Sequence, residues 1–99
     1  MSEVLAAQMA LCARLWAEGA QAEAVVRFRV VAAQHPDNAE VAAALAGALL
    51  QTGEWTEGVA RMDALGARMP ARPELHDWHA QGLLLLGRAT DAIATLRRR

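Results

Sequence analysis

The chain has 99 residues and a formal net charge of −1, which is the size of one domain and too little charge to draw in nucleic acid or an anionic membrane. Its one cysteine, Cys12, excludes an intramolecular disulfide and fits a reducing compartment. The start, Met1-Ser2-Glu3-Val4, has no basic leader followed by a long apolar stretch, and the longest uncharged apolar run, residues 41–50, is far too short to span a membrane, so a cytoplasmic protein is expected.

The first predicted helix covers about residues 4–17, where Val4, Ala7, Leu11 and Leu15 recur at helical spacing. Glu18-Gly19 ends it, because glycine takes the left-handed conformation that a helix end favours. A second helix follows over about residues 21–34, with Ala24, Val25, Phe28, Val31 and Ala32 on one face. His35-Pro36-Asp37-Asn38 stops it: proline lacks the N–H that would continue the helix, and Asp37 or Asn38 can cap the next one. The third helix is expected over about residues 39–51, with Thr52-Gly53-Glu54 as the turn. The fourth is expected over about 55–68, stopped by Met69-Pro70. Pro73 suits the first turn of a fifth helix over about 74–86, and a sixth runs over about 90–98. Helices of this length joined by turns of three or four residues favour antiparallel hairpins.

A fixed period runs through these elements. The same interval separates Gly19 from Gly53 and Gly53 from Gly87, and Leu15, Leu49 and Leu83 stand four residues before them. Five residues after each glycine comes a small residue, Ala24, Gly58 and Ala92, and four later a large apolar one, Phe28, Met62 and Leu96. Pro36 and Pro70 share the spacing. Such a period means a stacked array of supersecondary units, and arrays of this kind present extended binding surfaces.

With these residues the chain resembles the tetratricopeptide repeat family, whose unit is two helices in about 34 residues. Leu11-Cys12, Leu15, Gly19, Ala24, Phe28, Val31 and Pro36 match in the first unit. Leu45-Ala46, Leu49, Gly53, Met62, Leu65 and Pro70 match in the second, and Ala80, Leu83, Gly87, Ala92 and Leu96 in the third. The resemblance implies an all-α fold: a superhelical array of antiparallel helix pairs, one domain with units at about 5–38, 39–72 and 73–99. Three departures stand out. His79 occupies the column of Leu11 and Leu45. The family's early aromatic is replaced by Gln8, Ala42 and His76. Gly58 replaces the usual alanine and is expected to weaken its helix by about 1 kcal/mol. No further solvating helix follows Arg99 in this sequence, so Ile93 and Leu96 are expected to stay partly exposed unless the array self-associates, a partner covers this end or the array is shortened here.

In this family the first helices of successive units line a concave groove. Carried over residue by residue, the resemblance places Met9, Ala13 and Trp16 there from the first unit, with Ala6 and Ala17. It adds Glu40, Ala43, Gly47, Leu50 and Gln51 from the second, and Glu74, Asp77, Gln81, Leu84 and Leu85 from the third. The best-known peptide-binding subset clamps a C-terminal carboxylate with lysine, arginine and asparagine. None stands among these positions, and an anion needs donors or positive charge. What remains is an apolar centre of Met9, Trp16, Leu50 and Leu84, room left by Ala13, Ala43 and Gly47, and an acidic edge of Glu40, Glu74 and Asp77. Such a surface suits an amphipathic helix or extended segment with apolar anchors and basic flanks. Trp16→Ala and Leu50→Ala are then expected to weaken binding without loss of helix.

Other motifs lead to less. His76 and His79 have the spacing of a metal-ligand pair but no further ligands, and a zinc site needs three or four. Cys12 lies in the small-residue column and reads as a buried thiol. Arg97-Arg98-Arg99 complements the helix macrodipole. Trp55 and Trp78 read as packing aromatics, because no basic groove accompanies them for stacking on nucleic acid. The expected function is a non-catalytic protein-binding module, an adaptor or small chaperone, without cofactor, metal, nucleic-acid or membrane partner. Self-assembly through exposed end faces into a homo-oligomer is the alternative. In architecture alone the chain also resembles the small tetratricopeptide chaperones of bacterial type III secretion.

Overall fold

The computed structural model describes residues 3–98; the end residue Arg99 of the basic run lies outside them. Six α-helices follow one another: α1 (Glu3–Ala17), α2 (Gln21–Gln34), α3 (Ala39–Gln51), α4 (Trp55–Leu65), α5 (Pro73–Leu85) and α6 (Ala89–Arg97). Among the described residues there is no strand, and no helix is long and apolar enough to cross a membrane. Consecutive helices form three pairs, α1–α2, α3–α4 and α5–α6. The pairs stack because α2 packs on α3, α4 packs on α5, and α3 lies against α5. The fold is an all-α array of helix pairs, elongated to 40 × 26 × 20 Å.

The glycine column works as the period implies. Gly19, Gly53 and Gly87 have φ of +86°, +88° and +78°, a region open to glycine but strained for other residues. The residue after each one donates its N–H back to the leucine column: Ala20 to Leu15 at 2.9 Å, Glu54 to Leu49 at 2.9 Å, Arg88 to Leu83 at 2.8 Å. This satisfies a carbonyl that the helix end would otherwise leave unpaired and fixes the reversal into the next helix. Asn38, rather than Asp37, caps α3, its side chain accepting from the Val41 N–H at 3.1 Å. One expected helix end moves. α4 stops at Leu65 rather than at residue 68, because Gly66 takes φ +50° and the chain tightens into a 3₁₀ turn over Gly66–Arg68.

Two apolar cores share α3. Leu45, Leu49 and Ala48 join Leu5, Cys12, Val25, Phe28 and Val31 on one side. Ala43, Ala46 and Leu50 join Val59, Met62, Leu65, Leu75 and Leu83 on the other. Cys12 is fully buried, and burial pushes its thiol pKa up, away from the reactive thiolate.

Leu50 explains the glycine in α4. A Cβ on Gly58 would lie 2.8 Å from Leu50 Cγ and 3.3 Å from the Leu50 backbone nitrogen, and a Cβ on Gly82 would lie 2.7 Å from Leu50 Cδ2 and 2.8 Å from Val59 Cγ2. The two glycines are the slots into which Leu50 fits. The helix propensity lost at Gly58, about 1 kcal/mol, is exchanged for close contact between α3 and α4. Gly58→Ala is therefore expected to destabilise the protein by about 1 kcal/mol, overpacking of about 1–3 kcal/mol outweighing the helix gain. In a Leu50→Ala background the same change should stabilise by about 1 kcal/mol. Urea unfolding of the four variants in this cycle tests the sign reversal.

Candidate functional site

The inner faces of α1, α3 and α5, with Phe28 of α2, line an open cavity of about 280 Å³. Small residues from α1 and α3 leave the space: Ala13, Ala43, Ala44, Gly47 and Ala48. Trp16 of α1 and Trp78 of α5 contribute the large aromatic surfaces, with Phe28 and Leu75. Trp78 comes this close to α3 because position 47 has no side chain: a Cβ there would lie 3.1 Å from Trp78 Cζ3. The polar rim is Gln51, Glu74 and Arg72. A second depression of about 390 Å³ shares Gln51 and Trp78 with the first and adds Leu50, Gln81 and Gly82. The two depressions share these walls.

Six of the positions expected in the groove line the first cavity: Ala13, Trp16, Ala43, Gly47, Gln51 and Glu74. Gln81 and Leu50 line the second. Leu50, expected in the apolar centre of the groove, is largely buried. It is 7% exposed, wedged against Gly58 and Gly82 beneath the third helix pair. Truncating it would cost core packing, about 2–5 kcal/mol, so Leu50→Ala cannot report on binding alone. Leu84 is 56% exposed but lines neither cavity. Met9 packs against the first core, and Glu40 and Asp77 also lie outside both cavities.

Six lining residues were not among the expected groove positions: Phe28, Ala44, Ala48, Arg72, Leu75 and Trp78. Trp78 shares its repeat column with Ala44 and Ala10, so no aromatic column announced it; the glycine facing it at Gly47 is the only signal, and it is a tertiary one. Arg72 sits in the link before α5, outside the helical positions that the family pattern supplies. Its guanidinium donates to Glu40 at 2.8 Å, so the expected acidic edge is partly neutralised at the rim. Both partners are well exposed, and the pair adds little to stability.

The histidine pair has a different role from metal binding. His79 is buried, and its Nε2–H donates to Asp63 Oδ1 at 2.9 Å, while Asp63 Oδ2 accepts from Arg88 at 3.0 Å. Nδ1 of His79 is buried without a partner, as is Nδ1 of His76. Among the described residues no group of three or more histidine, cysteine or acidic side chains is placed to hold a metal ion. Burial pushes the His79 pKa below its ordinary value of 6.5; the Asp63 carboxylate opposes this, and the charges of Arg98 and Arg88 add to it.

A sequence model of the tetratricopeptide repeat family matches residues 15–82, from the last turn of α1 to Gly82 in α5 and well over half of the chain. The comparison with curated proteins gives no match.

A pH dependence follows from His79. The unfolded chain takes up a proton on this imidazole as pH falls through about 6.5, whereas the folded protein takes it up only at lower pH. The stabilising contribution is complete above that pH and is lost as pH falls from there towards the lower folded pKa. His79→Leu, which restores the residue type of Leu11 and Leu45, should flatten this slope. Thermal unfolding across pH 5 to 8 measures it, and an unchanged slope in the variant would show that another group is responsible.

Proposed function

We propose, from the premise that the chain belongs to the tetratricopeptide repeat family, a family of protein–protein interaction modules, that it is a non-catalytic adaptor or small chaperone holding a segment of another protein in the groove along α1, α3 and α5. The observation that carries this reading is the alanine- and glycine-lined cavity between Trp16 and Trp78. Its volume of about 280 Å³ suits one large aliphatic or aromatic anchor side chain, below the range of most small-molecule sites. Rigid aromatic surfaces around a cavity are the usual hot-spot pattern at protein interfaces.

The second depression beside the cavity, lined by Leu50 and Gln81, favours a ligand longer than a single anchor, either an extended strand or one face of an amphipathic helix. Glu74 at the rim and Glu40 behind Arg72 favour a basic residue flanking the anchor. Catalysis is not supported by the same surface: Cys12, the one thiol, is fully buried with a raised pKa. That buried, free thiol suits a reducing compartment such as the cytoplasm.

The test uses peptides selected from a displayed random library on the full chain, with Trp55→Phe in the background so that emission reports on Trp16 and Trp78. Selected peptides should share a large apolar anchor and shift the tryptophan emission on binding. Ala13→Phe, at an exposed position on the cavity wall, should fill the space and weaken binding by about tenfold or more, as should Trp78→Ala. Far-ultraviolet dichroism should remain unchanged in the Ala13→Phe chain. Peptides that bind both variants as tightly as the parent would place the binding surface elsewhere.

A further inference from the structure

Among the described residues, Nδ1 of His76 and Nδ1 of His79 are the buried ring nitrogens without a hydrogen-bond partner. The two residues stand three apart on α5, so their side chains lie on one face of the helix. Both imidazoles line a cavity of about 440 Å³ between the end of α4 with its 3₁₀ turn, α5 and the end of α6. This cavity shares no residue with either depression of the groove. Its volume falls within the range of small-molecule sites, about 300–1,000 Å³.

The tautomer of His79 sets what this cavity asks of a ligand. A carboxylate can only accept, so the proton of the neutral ring sits on Nε2, which donates to Asp63 at 2.9 Å. Arg88 holds the other oxygen of Asp63 at 3.0 Å. Nδ1 of His79 is then a buried lone pair, and it calls for a donor. Arg98 also lines the cavity, and its positive charge acts on the His79 ring. Its guanidinium donates to Thr95 Oγ1 at 3.2 Å and has no carboxylate partner among the described residues. The remaining wall is largely apolar, with the thioethers of Met62 and Met69 beside Ala67. Thioethers make favourable contacts with aromatic rings. The charges of Arg88 and Arg98 disfavour an ammonium group here, so the donor that suits His79 is neutral.

We propose that the cavity between α4, α5 and α6 binds a small aromatic acid that carries a ring hydroxyl. The hydroxyl donates to His79 Nδ1, the ring lies against Met62 and Met69, and the carboxylate pairs with Arg98. Asp63 and Arg88 act as positioning residues, because they fix the tautomer that leaves Nδ1 free to accept. Leu11 and Leu45, in the column of His79, offer no such acceptor in the first two pairs. A ligand held by three helices at once also braces the second helix pair against the third, so binding raises the melting temperature. The site is separate from the groove and does not depend on a protein partner there.

The probes are 3-hydroxybenzoate and 4-hydroxybenzoate, titrated into the full chain labelled with nitrogen-15, with the histidine ring nitrogens followed by nuclear magnetic resonance. At least one isomer should bind saturably. On binding, the His79 Nδ1 resonance should move as its lone pair accepts a hydrogen bond, while His35, outside the cavity, should not respond. Benzoate, the same acid without the hydroxyl, should bind about tenfold more weakly or worse, because it leaves the buried acceptor unpaired. Arg98→Gln, at an exposed position, should weaken hydroxybenzoate binding by about tenfold. His79→Leu should abolish it.

No saturable binding of either isomer at about millimolar concentration overturns the proposal. Benzoate that binds as tightly as the hydroxybenzoates also overturns it, because the lone pair is then not what is recognised. A His79 Nδ1 resonance that stays in place at saturation does the same, by showing that the nitrogen is served by water alone. If His79→Leu does not fold, the benzoate comparison and Arg98→Gln decide, since neither alters the core.

Discussion

The burial of α3 between two cores is the constraint on which the rest of the structure depends. Eight of its thirteen residues are buried, and all of these but Gly47 divide between the core shared with α1 and α2 and the core shared with α4, α5 and α6. A helix covered on both sides must be apolar nearly all round and narrow enough for its neighbours to reach it. The sequence of α3 meets both needs, with leucine and valine for packing and alanine and glycine for clearance. Removing bulk from α3 opens a cavity in one core or the other, depending on the face, and adding bulk at Gly47 closes the space into which Trp78 and Leu75 come.

The same economy of space sets the geometry of the groove. Gly47 admits Trp78 against α3, while Gly58 and Gly82 admit Leu50. Helix propensity is given up at three places so that helices approach closely, and the approach brings Trp16 and Trp78 to opposite parts of one small cavity. The concave surface is thus a consequence of how the core is packed. Ion pairs at the junctions contribute in a different way. Arg29 with Glu57, and Asp63 with Arg88, are partly exposed and add modestly to stability. Their sign alternates along the array, so each junction accepts its own neighbour better than another.

His79 illustrates how a repeat tolerates a polar residue in an apolar column. Leu11 and Leu45 need only apolar neighbours, whereas an imidazole needs a partner for its N–H. Asp63 supplies it from α4, and Arg88 at the turn before α6 holds Asp63 in place. A site that by spacing resembled half of a metal centre is a structural hydrogen-bond network linking α4, α5 and the turn before α6.

The repeat period, the glycine turns with their leucine acceptors, and five of the six helix ends to within a residue were legible in the sequence. These features are set by local backbone chemistry: a positive φ at Gly19, Gly53 and Gly87, a proline at the start of α5 and an asparagine cap on α3 act within a turn or two of themselves. The groove was legible only in part. Ala13, Trp16 and Gly47 followed from the repeat pattern, while Trp78 and Arg72 did not, since one interrupts its column and the other lies in a link between helices. Leu50 and Leu84 mark the boundary most clearly. They are the same residue at the same place in successive helix pairs, and the sequence by itself determined that both lie on an apolar face. Only the tertiary structure decided that the first is core and the second is surface, because burial is a property of what packs against a side chain, and that is settled by neighbours distant in the chain.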